Sequence, residues 1–407
     1  MSFRLFSISS MYQGSLDSFY NNHPIVRNLS YKEHLDILIE DTTEFVGSYI
    51  RNFRKLEIEA ECLIANDFNL QSKWAVEKGL KHDKKEGIIL EQVKAYAPDI
   101  LLIENLSVVS PGLLKNIRKE VKSVRIIIAN HCAPFNYKVL ESLKDVDFVF
   151  TCTPGLKSAI EELGKKSYLV YHGFDTVILK RINSLAALPK NDFVFSGSLI
   201  SGGDFHSQRI RLIERILQEN IPIDLYVNLE NNFRIRAKQA IYLFSSFLQK
   251  IRMEKLLNSC QFLQYGKTWV DSYSDTLLKH KKPPVFGIDM FNLFMNSRVV
   301  LNFHIGIAGN YAGNMRMFEV TGVGSCLLTD NKKNMSDLFI SGSEVVVYDN
   351  DEDCIHKIKW LLDHDDERKS IALAGQQKTL AYHTVANRCS SIVEIINNEL
   401  KNSGKTK

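Results

Sequence analysis

Short apolar runs alternate with stretches of helical spacing along most of this chain. Up to residue 175 the runs Phe3–Ser9, Glu59–Ala65, Ile100–Glu104, Arg125–Asn130, Asp147–Thr151 and Tyr168–Tyr171 predict strands. Between them Tyr31–Leu56 keeps apolar residues near helical spacing, Glu86–Tyr96 leads to the stop Pro98, and Pro111 opens a helix through Glu120. Such alternation predicts a parallel sheet with helices on both faces. A second series, Phe193–Ser196, Ile223–Asn228, Arg298–His304, Cys326–Thr329 and Val345–Tyr348, predicts another sheet of the same kind. From Asp351 to Leu400 the pattern is helical, with one helix opening at Asp351 or Glu352, a break at His364–Asp366 and an interruption at Gly375.

The fold class expected is therefore α/β, two facing Rossmann-like domains with a helical brace at the C-terminus. We divide the chain into a first domain over 1–175, a linker over 176–190 that contains Pro189, and a second domain over 191–385. A helix and tail over 386–407 is expected to cross back and pack on the first domain. A length of 407 residues exceeds what one core usually supports, which agrees with two domains.

Composition narrows the partners. The net charge of +4 comes without a sustained basic block, which argues against nucleic acid. Cys62, Cys132, Cys152, Cys260, Cys326, Cys354 and Cys389 form no CxxC or CxxH pair, which predicts reduced thiols and argues against structural zinc. No leading segment resembles a signal peptide and no run is long enough to cross a bilayer, so a soluble cytoplasmic protein is expected. The stretch Asn232–Asn258 sets Arg234, Arg236, Lys238, Lys250, Arg252 and Lys255 beside Tyr242, Phe244, Phe247 and Leu248. It reads first as a core-packed helix with a solvated basic face; peripheral contact with the inner face of a membrane is the alternative.

The segment Asn302–Asp330, NFHIGIAGNYAGNMRMFEVTGVGSCLLTD, carries the strongest chemical signal. A buried strand empties into a loop holding Gly306, Gly309, Asn310, Gly313 and Asn314, and a helix then runs to Gly322 or Gly324. A helix N-terminus at a strand's carboxyl end suits an anion. Arg316 and Glu319, three positions apart, share one face of that helix, a cation and a carboxylate fitted to a diphosphate and a ribose. Asn302 and His304 alternate along the strand and face one side, with His304 at its carboxyl end. Gly197 and Ser198, after Ser196, are placed to bring their N–H groups to a diphosphate, and Arg209 in the next helix to reach a phosphate. On the rim of the first sheet Glu104, His131 and Asp17 are the candidate catalytic residues, with His131 and Asp17 ahead of Glu104.

Longer motifs point to a family. Lys282–Phe339, then GSEVVVYDNDED, HDDERKSIALAGQQKTLAYHT and Arg388, resemble bacterial CgeB-like proteins, a spore-protein glycosyltransferase-like family with a group 1 type C-terminal domain. Ser15–Asp41, Glu59–Gly79 and the HGFD junction at His172–Asp175 are similar to that family's amino half. The resemblance implies a GT-B fold, a glycosyltransferase activity, a nucleotide-diphosphate sugar in the cleft as co-substrate and no bound metal or other cofactor. Its acceptor is a glycan, a lipid-linked molecule or a protein. In related family 4 enzymes two glutamates flank the donor; Glu319 matches the second, which holds the ribose, and the first has no counterpart, with Asn310 or Tyr311 near its place. A retaining outcome would follow if that likeness extends to the sugar ring. The alternatives are a sugar-nucleotide epimerase or phosphorylase of the same fold and a noncatalytic nucleotide-sugar- or glycan-binding protein. A dinucleotide-dependent dehydrogenase ranks last, because no strand–GxGxxG–helix unit is present.

Overall fold

The computed structural model describes residues 3–80, 85–133, 135–185, 190–200, 204–251, 269–304, 306 and 309–403. Two six-stranded parallel sheets organise it. The first contains β1 (Arg4–Ser9), β2 (Glu59–Ile64), β3 (Ile100–Ile103), β4 (Ile126–Asn130), β5 (Phe148–Thr151) and β6 (Ser167–Leu169), in the order β2-β1-β3-β4-β5-β6. The second contains β7 (Asn191–Leu199), β8 (Asp224–Leu229), β9 (Lys281–Lys282), β10 (Ser297–Asn302), β11 (Cys326–Asp330) and β12 (Val346–Tyr348), in the order β12-β11-β10-β7-β8-β9. The very short β9 has no signal in the apolar pattern.

Both sheets are covered on both faces, which is why their central strands are continuous apolar runs. In β3, Ile100 and Leu102 enter one core while Leu101 and Ile103 enter another. Likewise in β10, Val299 and Leu301 face one side and Val300 the other. Helix starts follow their capping chemistry: Ser30 and Glu33 close a capping box, and Ser110 and Thr153 accept from the third residue of helices that open on Pro111 and Pro154.

Three expectations need correction. The span Tyr31–Leu56 is two helices, Tyr31–Asp41 and Phe45–Lys55, because Thr42, Thr43 and Glu44 take the chain out of the first and into the second. The segment expected as a linker holds the helix Val177–Ile182, which buries Ile178 and Ile182; Pro189 lies outside the described residues. Gly375 does not interrupt anything. It sits inside the helix Asp365–Tyr382 where a Cβ would come within 2.2 Å of the Glu344 carbonyl oxygen, so the glycine serves close approach.

The C-terminal helix, Val385–Ser403, sends Val385, Cys389, Ile392, Ile396 and Leu400 into the core of the first sheet. Its start is tied to the junction between the sheets: Phe174 and Thr384 form a β-bridge, and Arg388 Nε donates to the carbonyls of Tyr171 and His172 at 3.0 and 3.1 Å. Arg51 and Asp175 add a buried ion pair at 2.7 Å, linking the Phe45–Lys55 helix to the same junction. The helix Asn232–Lys250 buries Ile235 and Leu248 but exposes Phe233, Leu243, Phe244 and Phe247; Arg252 and Lys255 lie outside the described residues.

Candidate active site in the cleft between the sheets

In an open α/β sheet a crevice forms where strand order reverses, beyond the carboxyl ends of the strands. In the second sheet that point lies between β7 and β10, and in the first between β1 and β3. Strand β10 pairs with β7 only as far as Phe195, so the β10 side of Ser196–Leu199 opens into the crevice. Gly197 and Ser198, expected at the end of the strand, lie within β7 and pair with Val227 and Asn228 of β8, because β7 continues to Leu199.

Two guanidinium groups converge at this reversal. Arg209 donates to the carbonyls of Ser198, at 3.1 Å, and Phe303, bridging the ends of β7 and β10. Its Nε is buried without a partner among the described residues. Arg316 donates to Glu319 Oε2 at 2.7 Å and to the Ser196 carbonyl at 3.3 Å, and stacks 4.5 Å from the centre of the Phe294 ring. Burial, and then the charge of Arg316, pulls Arg209 down to about 10, which still leaves it protonated at neutral pH. Two like charges held this near in a crevice are an anion site in waiting.

The neighbouring polar side chains mostly hold the framework. Asn314 precedes the Met315–Gly322 helix, but its side chain donates to Asn302 Oδ1 at 2.7 Å, and Asn302 donates to Thr329 at 2.9 Å. That network fixes the helix start against β10 and β11. His304 pairs through Nδ1 with Asp330 at 2.7 Å, and its backbone N–H donates to the same oxygen at 2.9 Å. Burial alone would raise Asp330, but hydrogen bonding and charge from His304 hold it below the usual carboxylate range. The Nε2 of His304 is buried and has no partner among the described residues. Asn310 is exposed, and its carbonyl accepts from the Lys333 N–H at 3.0 Å; Tyr311 instead reaches the first domain, packing on Gly155.

On the opposite wall Glu104 leaves β3 at the first sheet's reversal, its N–H bonded to Ile8 of β1 at 3.0 Å. Its carboxylate accepts from Ser9 and from the backbone of Ser10, Oε2 has no partner among the described residues, and burial pushes the group up to about 8. Glu44, which no sequence pattern singled out, accepts the Tyr12 N–H at 3.1 Å. Burial raises it to about 7, and the charge of Glu319 adds to the shift. The Tyr12 phenol is raised by desolvation and then by Glu44, Glu319 and Glu104, with Arg316 opposing. These interactions place Glu44, Glu104 and Tyr12 of the first domain against the Arg316–Glu319 platform of the second. The available signal for Glu44 was its place in a polar break, Thr42–Glu44, inside an otherwise helical pattern.

The other two candidate catalytic residues fare differently. His131 sits beyond β4 with its N–H bonded to Phe150 and its ring stacked on Phe135; burial lowers it, and Nε2 is unpartnered. Asp17 does not reach the rim. It is exposed in the helix Gln13–Asn22 and accepts from Gln13 one turn earlier at 2.8 Å, because the chain becomes helical directly after β1 and turns this residue outward.

The walls also touch directly. A Cβ on Gly313 would lie 2.2 Å from the Cys152 carbonyl oxygen, so the loop before the Met315–Gly322 helix rests on the end of β5. Beside that contact Cys132, Cys152 and His172 bring their ligand atoms within 4.8 Å of one another.

Comparison with known proteins fits this geometry. Residues 238–394 match a family model described as glycosyl transferase-like, over the part that carries β10, β11 and the Arg316–Glu319 platform. Over 97% of this chain and all of the other, the structure is similar to Anabaena HepE solved with UDP and glucose, with a TM-score of 0.53 at 12% identity. A glycosyltransferase from Rickettsia africae gives 0.55 at 10% identity, covering 98% of this chain and 99% of the other. Sucrose-phosphate synthase from Thermosynechococcus elongatus gives 0.56 at 9% identity, covering 98% and 100%. The chain has the GT-B fold. No curated protein sequence matches it. No described helix is long and apolar enough to cross a membrane.

Proposed function

We propose that this protein is a glycosyltransferase that moves a sugar from a nucleotide-diphosphate sugar, held on the second sheet, to an acceptor held against the first. The observation that carries this reading is the convergence of Arg209 and Arg316 at the β7/β10 reversal, with Glu319 ion-paired to Arg316 beside them. The diphosphate takes the two guanidinium groups and the N-terminus of the Met315–Gly322 helix. Once Arg316 turns to phosphate, Glu319 is released to accept from the ribose hydroxyls, the role its resemblance to family 4 enzymes implies. Charge that grows on the leaving diphosphate is stabilised by side chains, without magnesium or manganese.

Glu104 and Glu44 supply the proton chemistry opposite. A base poised near neutral pH moves a proton most effectively, and burial has brought both into that range. The resemblance to CgeB-like proteins supports an acceptor on a glycan, lipid or protein, and a cytoplasmic site of action. Exposed Phe233, Phe244 and Phe247 support peripheral contact with a membrane.

The test is a thermal-shift screen against UDP-, GDP-, dTDP- and CMP-sugars, followed by product analysis with candidate acceptors. One donor class should raise the melting temperature and be consumed only with an acceptor present. A donor converted to an isomer on its own supports an epimerase; no shift with any donor removes the reading. Dialysed enzyme should gain no activity from added magnesium or manganese.

A further inference from the structure

Outside the donor crevice one cluster of side chains is left without a role. Three adjacent strands of the first sheet each deliver one metal-ligating group just past their carboxyl ends: Cys132 after β4, Cys152 after β5 and His172 after β6. Cys132 and Cys152 are free thiols, and their sulfurs and a ring nitrogen of His172 lie within 4.8 Å of one another. We propose that Cys132, Cys152 and His172 bind a single Zn²⁺ ion, leaving its fourth position to water or an exogenous ligand.

Zinc bonds of about 2.3 Å to sulfur and about 2.0 Å to nitrogen put tetrahedral ligand atoms roughly 3.5–3.8 Å apart. The cluster needs to contract by at most about 1.3 Å, within the reach of side-chain rotation alone. Two thiolates and an imidazole are a donor set that favours zinc over magnesium or calcium. The backbone that carries them is fixed. The Cys152 carbonyl abuts Gly313, the Thr151 hydroxyl donates to the His131 carbonyl at 2.9 Å, and the His172 carbonyl accepts from Arg388. Cys132 and His172 are partly exposed, which gives an ion a way in, and His172 also lines a small cavity with Asn130, Phe150 and Val170.

A disulfide between Cys132 and Cys152 would use the same two sulfurs, but it would leave His172 idle, whereas a metal uses all three groups. The site shares no residue with the donor crevice, so this inference stands or falls apart from the transferase reading. An ion here would tie the HGFD junction to the end of the first sheet, next to the point where the second domain rests on it.

The experiment uses the full chain, reduced and freed of metal, then titrated with Zn²⁺ and with Co²⁺ as a spectroscopic substitute. One equivalent should bind, and the Co²⁺ form should show a thiolate-to-cobalt charge-transfer band with the absorption of a tetrahedral site. Cys152→Ser and His172→Asn should each weaken binding at least tenfold, with the wild-type spectrum reporting the ligand set even if a variant misfolds. Absence of stoichiometric uptake by the reduced protein overturns the proposal, and so does uptake without the charge-transfer band or undiminished in both folded variants. A Cys132–Cys152 disulfide recovered from protein that takes up no metal once reduced would identify a thiol pair instead.

Discussion

Replacing Glu104 with glutamine isolates the proton that burial holds on this carboxyl. The glutamine keeps one acceptor oxygen for the Ser9 hydroxyl and the Ser10 N–H but cannot ionise. In the folded chain the group titrates near 8, against a reference of 4.5. The folded state therefore binds the proton more tightly than the unfolded state between those values, and stability falls as pH rises through that window. The slope is about 1.4 kcal/mol per pH unit for one proton, and the whole penalty on the order of 4–5 kcal/mol by the upper end. Glu44, at about 7, contributes a slope of the same sign, while His34 and His383, lowered to about 4 by burial, contribute the opposite sign below their unfolded value. Those terms cancel when wild type and Glu104→Gln are compared at each pH. The variant should gain stability on wild type by about 1.4 kcal/mol per pH unit from pH 5.5 to 7.5, measured as urea midpoints in a mixed buffer of constant ionic strength. Parallel curves for the two proteins would refute the placement of a protonated Glu104 in the cleft.

Glu319→Ala should abolish the thermal shift given by the donor while leaving the fold intact, since its side-chain partner among the described residues, Arg316, also donates to the Ser196 carbonyl; an undiminished shift would remove Glu319 from the site. Gly313→Ala forces a Cβ to within 2.2 Å of the Cys152 carbonyl, and the resulting separation should cost about 1–3 kcal/mol of stability, read by denaturant midpoint, and weaken donor affinity in calorimetry. Arg51→Ala leaves Asp175 buried without its counter-ion, a loss of about 3–5 kcal/mol, measured by the same denaturation; a change under about 1 kcal/mol would show that the Asp175 charge is satisfied elsewhere.

The two sheets were legible because parallel strands covered on both faces are continuous apolar runs, and Ile100–Ile103 and Cys326–Asp330 can be little else. The Arg316–Glu319 platform was legible for a local reason, since three-residue spacing on a helix decides which side chains are neighbours. What failed were features set by distant chain. Asp17 follows β1 as expected, but the phase of the Gln13–Asn22 helix, which sequence order does not supply, turns it outward. Glu44 becomes interesting only when Tyr12 and Glu319 approach it from either side. Cys132, Cys152 and His172 carry no linear metal motif, because their proximity is created by the pairing of β4, β5 and β6. Gly375 misled in a related way: a glycine in a helical pattern looks like a stop until the packing partner, Glu344, is known.

The charge arrangement gives the proposed donor site its internal logic. A cleft that sets Glu44, Glu104 and Glu319 beside two guanidinium groups would be repulsive to a diphosphate if every carboxyl were ionised. Burial removes that obstacle twice over: Glu104 keeps its proton at neutral pH, and Glu44 is close to half protonated there. Glu319 is already paired with Arg316, the cation that the proposed phosphate takes. In the proposed reading, donor entry exchanges one partner of Arg316 for another and frees a carboxylate beside the ribose, so the Arg316–Glu319 pair holds the binding groups ready. The same burial that suppresses repulsion leaves Glu44 and Glu104 near the pH at which a proton is most readily given or taken. In the proposed reading, anion binding and proton transfer draw on a single physical cause, burial where the two sheets' reversal points face each other.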